Sequence, residues 1–311
     1  MTKKKEDKKQ VTHTIIVLDK SGSMAGTNEQ TVKGVNEQIQ TARNNSKDQD
    51  IRLSLVSFNN DVWKHFWDVP AGEMEDMPMS AYKPDGGTAL WDAAYYVTEK
   101  MQRTTEAGDN VAYYVIIVTD GMENSSKHCG KNSQEAEANF ARIRASLEET
   151  GRWTFSFVGC DSGYIQRVAK NVGIRLDNCA LWSNKSATLA TRGMKRMARS
   201  TGKYYGARAA GAVLNCCTMS DTLEACADYT TDDGEVDAVV PTVTPVVDIK
   251  SLMTGVAPAA GSGSYATCNK VDLGQPGMPT IPTVPTADHW AKTPSKGIPN
   301  SYGTCNKVTW S

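Results

Sequence analysis

The stretch Ile15-Ile16-Val17-Leu18-Asp19-Lys20-Ser21-Gly22-Ser23 joins four consecutive apolar residues to one carboxylate and two hydroxyls at alternate positions. An apolar run without alternation reads as a strand buried on both faces, the pattern of a parallel sheet covered by helices. Its end at Asp19 sets polar groups where such a strand opens into a loop, and open α/β sheets present ligands at the carboxyl ends of their strands. Asp19, Ser21 and Ser23 offer only hard oxygen, which suits Mg²⁺ or Mn²⁺.

One short loop cannot complete the near-octahedral shell that Mg²⁺ demands. Two further segments offer the missing donors. Gly86-Gly87-Thr88-Ala89-Leu90 places a hydroxyl just ahead of a helical pattern, and Val115-Ile116-Ile117-Val118-Thr119 ends in Asp120-Gly121, a second carboxylate at a strand end.

On these residues the chain resembles the von Willebrand factor type A family with its metal-ion-dependent adhesion site. The DxSxS loop, the Thr of a second loop and the Asp of a third match Asp19, Ser21, Ser23, Thr88 and Asp120 in order and approximate spacing. The resemblance covers residues 11–208. Thr119-Asp120-Gly121-Met122-Glu123-Asn124 and Phe157-Val158-Gly159 look most like stand-alone intracellular members from bacteria and phages. It implies a Rossmann-like fold, a mostly parallel sheet with one antiparallel edge strand and helices on both faces. It also implies Mg²⁺ (or Mn²⁺) bound directly by Ser21, Ser23 and Thr88, with Asp19 and Asp120 acting directly or through water. A partner's Asp or Glu would complete the shell, and the last helix of the domain would shift as the partner binds.

Three other readings of the Asp19 loop compete. A haloacid-dehalogenase-like phosphohydrolase wants a second carboxylate two residues on, where this chain has Ser21. A dinucleotide site wants GxGxxG, which Gly22-Ser23-Met24-Ala25-Gly26 does not supply. The plainest alternative is that Ser21 and Ser23 cap the following helix.

The rest of the chain alternates in period. Strands are expected over His13–Leu18, Ile51–Phe58, Val62–Val69, Ala112–Thr119, Trp153–Cys160 and around Ala180–Trp182. Helices are expected over Glu29–Arg43, Leu90–Met101, Ser133–Glu149 and Ser186–Ser200, with a further element over Tyr164–Asn171. Asn59-Asn60-Asp61 is the turn of a hairpin that breaks the α/β rhythm. Asp19, Thr88 and Asp120 then share one edge of the sheet.

A chain of 311 residues fits one or two domains. The net charge of −1 points to neither nucleic acid nor an anionic membrane, and the longest apolar run, Val111–Val118, falls far short of a span. No secretory h-region follows the N-terminal lysines. Cys129, Cys160 and Cys179 stand singly, as small apolar packing does, and a reducing cytoplasm fits this usage. His13, His65, His128 and His289 are scattered and build no catalytic motif.

Residues 1–10 form a basic arm, expected to be disordered. Beyond the domain, 209–249 lacks Lys and Arg but carries Asp221, Glu224, Asp228, Asp232, Asp233, Glu235 and Asp237, an acidic linker. One of these carboxylates could serve the metal as an internal ligand. Residues 250–311 form a Pro/Thr-rich tail of low complexity. Within it Ser264-Tyr265-Ala266-Thr267-Cys268-Asn269-Lys270-Val271 recurs as Ser301-Tyr302-Gly303-Thr304-Cys305-Asn306-Lys307-Val308, identical at seven of eight positions. Two copies are too few for a solenoid. They read either as paired docking motifs for one partner or as strands that pair with each other or with the domain. Arg192, Lys195, Arg196, Arg199 and Lys203 make a basic helical stripe, read as a solvated face.

Taken together, these residues and the resemblance lead to the expectation of a non-enzymatic, cytoplasmic, Mg²⁺-dependent adaptor whose protein partner offers a carboxylate. The alternatives are a metal-dependent phosphoester hydrolase and an assembly protein that self-associates through its tail. Cytoplasmic members of the family often work in complexes, some with AAA+ ATPases, and no residue here selects such a partner.

Overall fold

The computed structural model describes residues 9–104, 108, 110–182, 186–211 and 306–308. The apolar runs form the middle of its sheet. Strand β1 (Val11–Asp19) lies between β2 (Asp50–Phe58) and β4 (Val111–Val118) and is parallel to both. Beyond β4 the parallel run continues through β5 (Trp153–Gly159) and β6 (Cys179–Leu181), while β3 (Val62–Pro70) returns antiparallel on β2. The spatial order is β6-β5-β4-β1-β2-β3, with a two-residue strand, β7 (Asn306–Lys307), antiparallel on the outer edge of β3.

Burial on both faces explains the missing alternation. Ile15 and Val17 of β1 pack on one side with α2 (Leu90–Thr104), α3 (Ser133–Glu149) and α4 (Ser162–Val172); Ile16 and Leu18 pack on the other with α1 (Asn28–Asn45) and α5 (Ala187–Ala209). The apolar run of β4 divides the same way, Val115 and Ile117 facing one core and Ile116 and Val118 the other. The sheet is mostly parallel with helices on both faces.

Helix starts follow their caps. Asn132 accepts from Glu135 N at 2.9 Å, Asp161 from Tyr164 N at 2.6 Å and Ser186 from Leu189 N at 3.2 Å. Helix α4 ends on Gly173 at φ 83°, a left-handed stop that glycine adopts without strain.

Most element limits fall within a few residues of those read from sequence. The largest difference is α5, expected to stop at Ser200 and found to run to Ala209. Gly202 and Gly206 weaken helix propensity there, but tertiary contacts outweigh it. Tyr205 OH meets Thr14 Oγ1 at 2.8 Å, Gln49 Nε2 donates to Tyr205 O at 2.8 Å, and Arg208 Nη2 donates to Asn110 O at 2.7 Å. On the opposite face of α5, Arg192, Lys195, Arg199 and Lys203 are exposed as a solvated stripe should be, while Arg196, the fifth member, is half-buried.

Helices α1 and α5 approach closely at Gly34, where a Cβ would stand 2.5 Å from Met194 Cγ and 2.6 Å from its Cβ. Gly34→Ala should therefore destabilise by about 1–2 kcal/mol even though alanine is the better helix former by about 1 kcal/mol. Urea unfolding with an unchanged slope measures this; a net gain in stability would mean that Met194 swings aside freely.

Candidate metal centre

Chain order places the site. From β1 the chain builds outward to β2 and β3 on one side, then returns to build β4, β5 and β6 on the other. The crevice at the carboxyl ends of β1 and β4 is therefore the topological switch point, where open α/β sheets bind ligands. Leu18 and Val118 are register partners, so Asp19 and Thr119 leave the sheet side by side.

Asp19 is fully buried at the end of β1. Its Oδ1 accepts Ser21 N at 2.7 Å and its Oδ2 accepts Thr119 Oγ1 at 2.6 Å, while Tyr82 OH donates to its backbone oxygen at 2.5 Å. Burial pushes the Asp19 carboxyl up to about 6, against the Thr119 and Ser21 hydrogen bonds and with the Asp120 charge. Ser21 is buried beside it, and its Oγ lies 3.0 Å from Ser23 Oγ. Ser23 is exposed and donates to Asp120 Oδ1 at 2.7 Å, which joins the first loop to the third.

Neither serine hydroxyl caps the 3₁₀ turn that follows, Gly22–Thr27. The capping reading of Ser21 and Ser23 therefore fails, since the two hydroxyls meet each other within the loop and Ser23 donates across the crevice to Asp120 instead.

Thr88 is buried at the start of α2. Its loop is tied to the first by Gly22 N to Gly86 O at 3.0 Å and Asp85 N to Lys20 O at 2.8 Å. Gly86 sits at φ 72°, which a side chain would strain, and a Cβ at Gly87 would stand 2.3 Å from Ser125 Oγ. Asn60 Oδ1 accepts Gly87 N, Asn59 O accepts Ala89 N at 2.6 Å, and Asn124 Oδ1 accepts Thr88 N at 2.9 Å. A Cβ on Gly121 would lie 3.6 Å from both Ser23 Oγ and Thr88 Oγ1, so glycine leaves open the space that these two hydroxyls flank.

The third loop is pinned by two carboxylates. Glu123 accepts Ser125 N at 2.8 Å, Ser126 N and Oγ at 2.7 Å each, and Ser133 Oγ at 3.1 Å. Asp92, in the first turn of α2, accepts Lys127 N, His128 N and Cys129 N at 2.9, 3.0 and 2.9 Å. Behind the loop, buried Trp182 donates Nε1 to Thr119 O at 3.1 Å.

All five residues singled out in the sequence thus gather at one crevice. Residues 14–160 match the von Willebrand factor type A domain. The match takes in all three loops, and the observed sheet is the Rossmann-like fold of type A domains. No curated protein matches the chain in sequence. Solved structures similar to it include proximal thread matrix protein 1 from the mussel byssus, at 16% identity over 62% of this chain and 46% of that one, TM-score 0.41. Another is the pilus adhesin SpaC from Lactobacillus rhamnosus GG, at 15% identity over 65% of this chain and 31% of that one, TM-score 0.47. A third is the PilB minor pilin from Streptococcus sanguinis, at 12% identity over 64% and 63%, TM-score 0.48. The match spans less than half of the mussel protein and of SpaC.

The donor set of the crevice fits a small hard cation. Among the described residues no three His, Cys, Asp or Glu side chains converge, so a zinc-like or carboxylate-rich cage is not what these loops offer. Cis ligands around Mg²⁺ at about 2.1 Å stand about 3.0 Å apart. The Ser21–Ser23 and Ser23–Asp120 oxygen separations of 3.0 and 2.7 Å are close to that edge length.

Sequence reasoning missed the residues that hold the donors in place: Thr119, Tyr82, Asn60, Asp92 and Glu123. Thr119, adjacent to Asp120 at a strand end, carried a readable signal. The others act through loop backbone, and only the fold reveals them. A serine and histidine do meet elsewhere, Ser57 Oγ and His65 Nε2 at 2.8 Å. Ser57 is fully buried, and burial with the Lys20 charge pushes His65 down to about 4. That pair is a packing contact, too weak a base and too enclosed for a hydrolase. Cys129 and Cys179 are buried free thiols; burial raises both, Cys179 to about 12, so neither is a ready nucleophile.

Proposed function

We propose that this chain is a non-enzymatic protein-interaction module whose contact is a Mg²⁺ (or Mn²⁺) ion held by Ser21, Ser23 and Thr88, with Asp19 and Asp120 as the neutralising carboxylates. The observation that carries this is the Ser23–Asp120 hydrogen bond, which brings oxygens from two separate loops to ligand spacing at the switch point. Two carboxylates and neutral hydroxyls leave a divalent ion electrophilic toward a partner's Asp or Glu. The donors grade from buried Asp19 to exposed Ser23, so the open side faces the surface. Met122, 61% exposed beside Asp120, gives the partner an apolar contact next to its carboxylate.

The cell compartment is the cytoplasm, where thiols such as Cys129, Cys160 and Cys179 stay reduced. Among the described residues no helix is long and apolar enough to cross a membrane. Residues 11–208 are the working domain, followed in sequence by the acidic linker 209–249 and the tail 250–311. An AAA+ ATPase complex is one setting for such an adaptor.

The test has two stages. Mg²⁺ at a hundredfold excess over its dissociation constant should stabilise the wild type by about 2.7 kcal/mol and leave Asp120→Ala unmoved. Affinity capture from native lysate should then retain a protein on wild-type bait in Mg²⁺ and lose it in EDTA or on Asp120→Ala. Equal capture under all three conditions would remove the metal from the contact.

A further inference from the structure

The repeat in the tail has a visible use. Asn306 and Lys307 pair antiparallel with Lys64 and Trp63 on the outer edge of β3. Val308 follows, its N–H donating to Val62 O at 2.7 Å and its side chain entering the core that contains Val62 and Phe58. Lys307 Nζ lies 2.8 Å from Asp61 Oδ2. Three consecutive residues therefore supply a backbone ladder, an apolar anchor and a charge pair, the means by which an extended peptide adds to a sheet edge. They also cover backbone groups of β3 that an open edge would present to other chains.

These three residues end the second copy of the repeat, and the first copy ends in the same Asn269-Lys270-Val271. We propose that the outer edge of β3 is a docking slot for this motif, and that residues 264–271 of the same chain are its second occupant, exchanging with 301–308. The sequence difference between the copies, Ala266 against Gly303, falls outside the contacting triplet. Register alternation fixes which residues are read. Lys and Val must follow each other for one to reach Asp61 and the next to enter the core, and both copies keep that order.

Occupancy should be shared. Both copies are tethered to the domain, so each meets the slot at the millimolar effective concentrations of a linked ligand, which a second chain at micromolar levels does not match. The two triplets lie about 60 and about 95 residues beyond the last turn of α5, and closure entropy scales as (3/2) ln n, so the nearer copy is favoured by only about twofold. One slot holds one strand, so removing either copy should hand the slot to the other.

Zero-length carbodiimide coupling of the full chain, read by peptide mass spectrometry, tests this because it joins Asp61 to whichever lysine pairs with it. The wild type should yield Asp61–Lys307 and Asp61–Lys270 amides in monomeric protein, within a few fold of each other. Lys307→Gln with Val308→Asp should leave only the Asp61–Lys270 product, at least as abundant as before. Lys270→Gln with Val271→Asp should leave only Asp61–Lys307, and Asp61→Asn should remove both. Absence of the Asp61–Lys270 product from both the wild type and the Lys307→Gln/Val308→Asp chain would overturn the proposal. So would its appearance only between labelled and unlabelled chains in an isotope-mixed sample, which would make a second copy of the protein the occupant.

Discussion

Replacing Asp92 with Ala is expected to destabilise the protein by about 3–5 kcal/mol, a loss of about 10 °C in melting temperature for a domain of this size. The carboxylate is fully buried and receives three consecutive backbone N–H groups, from Lys127, His128 and Cys129. Asp92 stands in the first turn of α2, where the helix favours a negative charge; Cys129 is buried, whereas Lys127 and His128 are exposed residues whose N–H groups turn inward to the carboxylate. Alanine leaves the cluster without its acceptor, and each unsatisfied buried donor costs about 1–3 kcal/mol. Asp92→Asn keeps the volume and one acceptor but turns an NH₂ group toward other donors, so about 1–3 kcal/mol is expected. Urea unfolding of both variants gives the numbers. Equal stability of Asp92→Ala and wild type would mean that the loop re-forms its hydrogen bonds elsewhere.

The same substitution should reach the three loops of the proposed metal site. Asp92 fixes the far end of the segment that begins at Asp120, and Glu123 and the Thr88 carbonyl fix its middle, the latter accepting Asn124 N and Ser125 N at 3.1 and 3.2 Å. With one anchor gone, Asp120 is no longer held at the Ser23 hydroxyl. Mg²⁺ affinity should fall in Asp92→Ala although Asp92 is not among the donors.

The strands were legible because burial on two faces writes an unbroken apolar run, as in Val111–Val118, and the five oxygen-bearing residues that gather at the crevice stood out because each follows such a run or precedes a helix. What escaped has a common physical cause. Tyr82 reaches Asp19 O from a segment with no periodicity, between β3 and α2. Asp92 and Glu123 bind backbone N–H groups, and a backbone partner leaves no residue type to recognise. The α5 extension past Gly202 depends on Thr14, Gln49 and Asn110, distant in sequence. The tail repeat shows the reverse situation, in which identity between copies was plain and the role of three of its residues appeared only when β3 offered them an edge. The arm before Lys9, the linker beyond Gly211 and the tail outside 306–308 lie outside the described residues.

Asp19→Asn is expected to raise the stability of the metal-free protein at pH 7.5 by up to about 3 kcal/mol while abolishing its response to Mg²⁺. The carboxyl sits at about 6 in the folded protein, chiefly through burial, against about 3.9 in an unfolded chain. Between those values the folded state holds the proton more tightly than the unfolded state. Wild-type stability from this group therefore increases as pH falls from above 6 toward 4 and is lowest above 6, where a buried anion faces Asp120 without a cation. Asparagine is neutral throughout and can keep the local bonds. Its carbonyl accepts Ser21 N, and its NH₂ can donate to Thr119 Oγ1, whose own proton then goes to Gly121 O, 3.0 Å away. The difference between variant and wild type should consequently be largest in EDTA at pH 7.5 and vanish near pH 4. Saturating Mg²⁺ should reverse the order at pH 7.5 by stabilising the wild type alone. A variant less stable than wild type in EDTA at pH 7.5 would show that Asp19 serves the fold as an anion. Stabilisation of both proteins by Mg²⁺ would place the ion elsewhere. The predicted pattern would instead mean that this domain sustains an unfavourable buried charge whose compensation is the ion itself, as a site kept for binding requires.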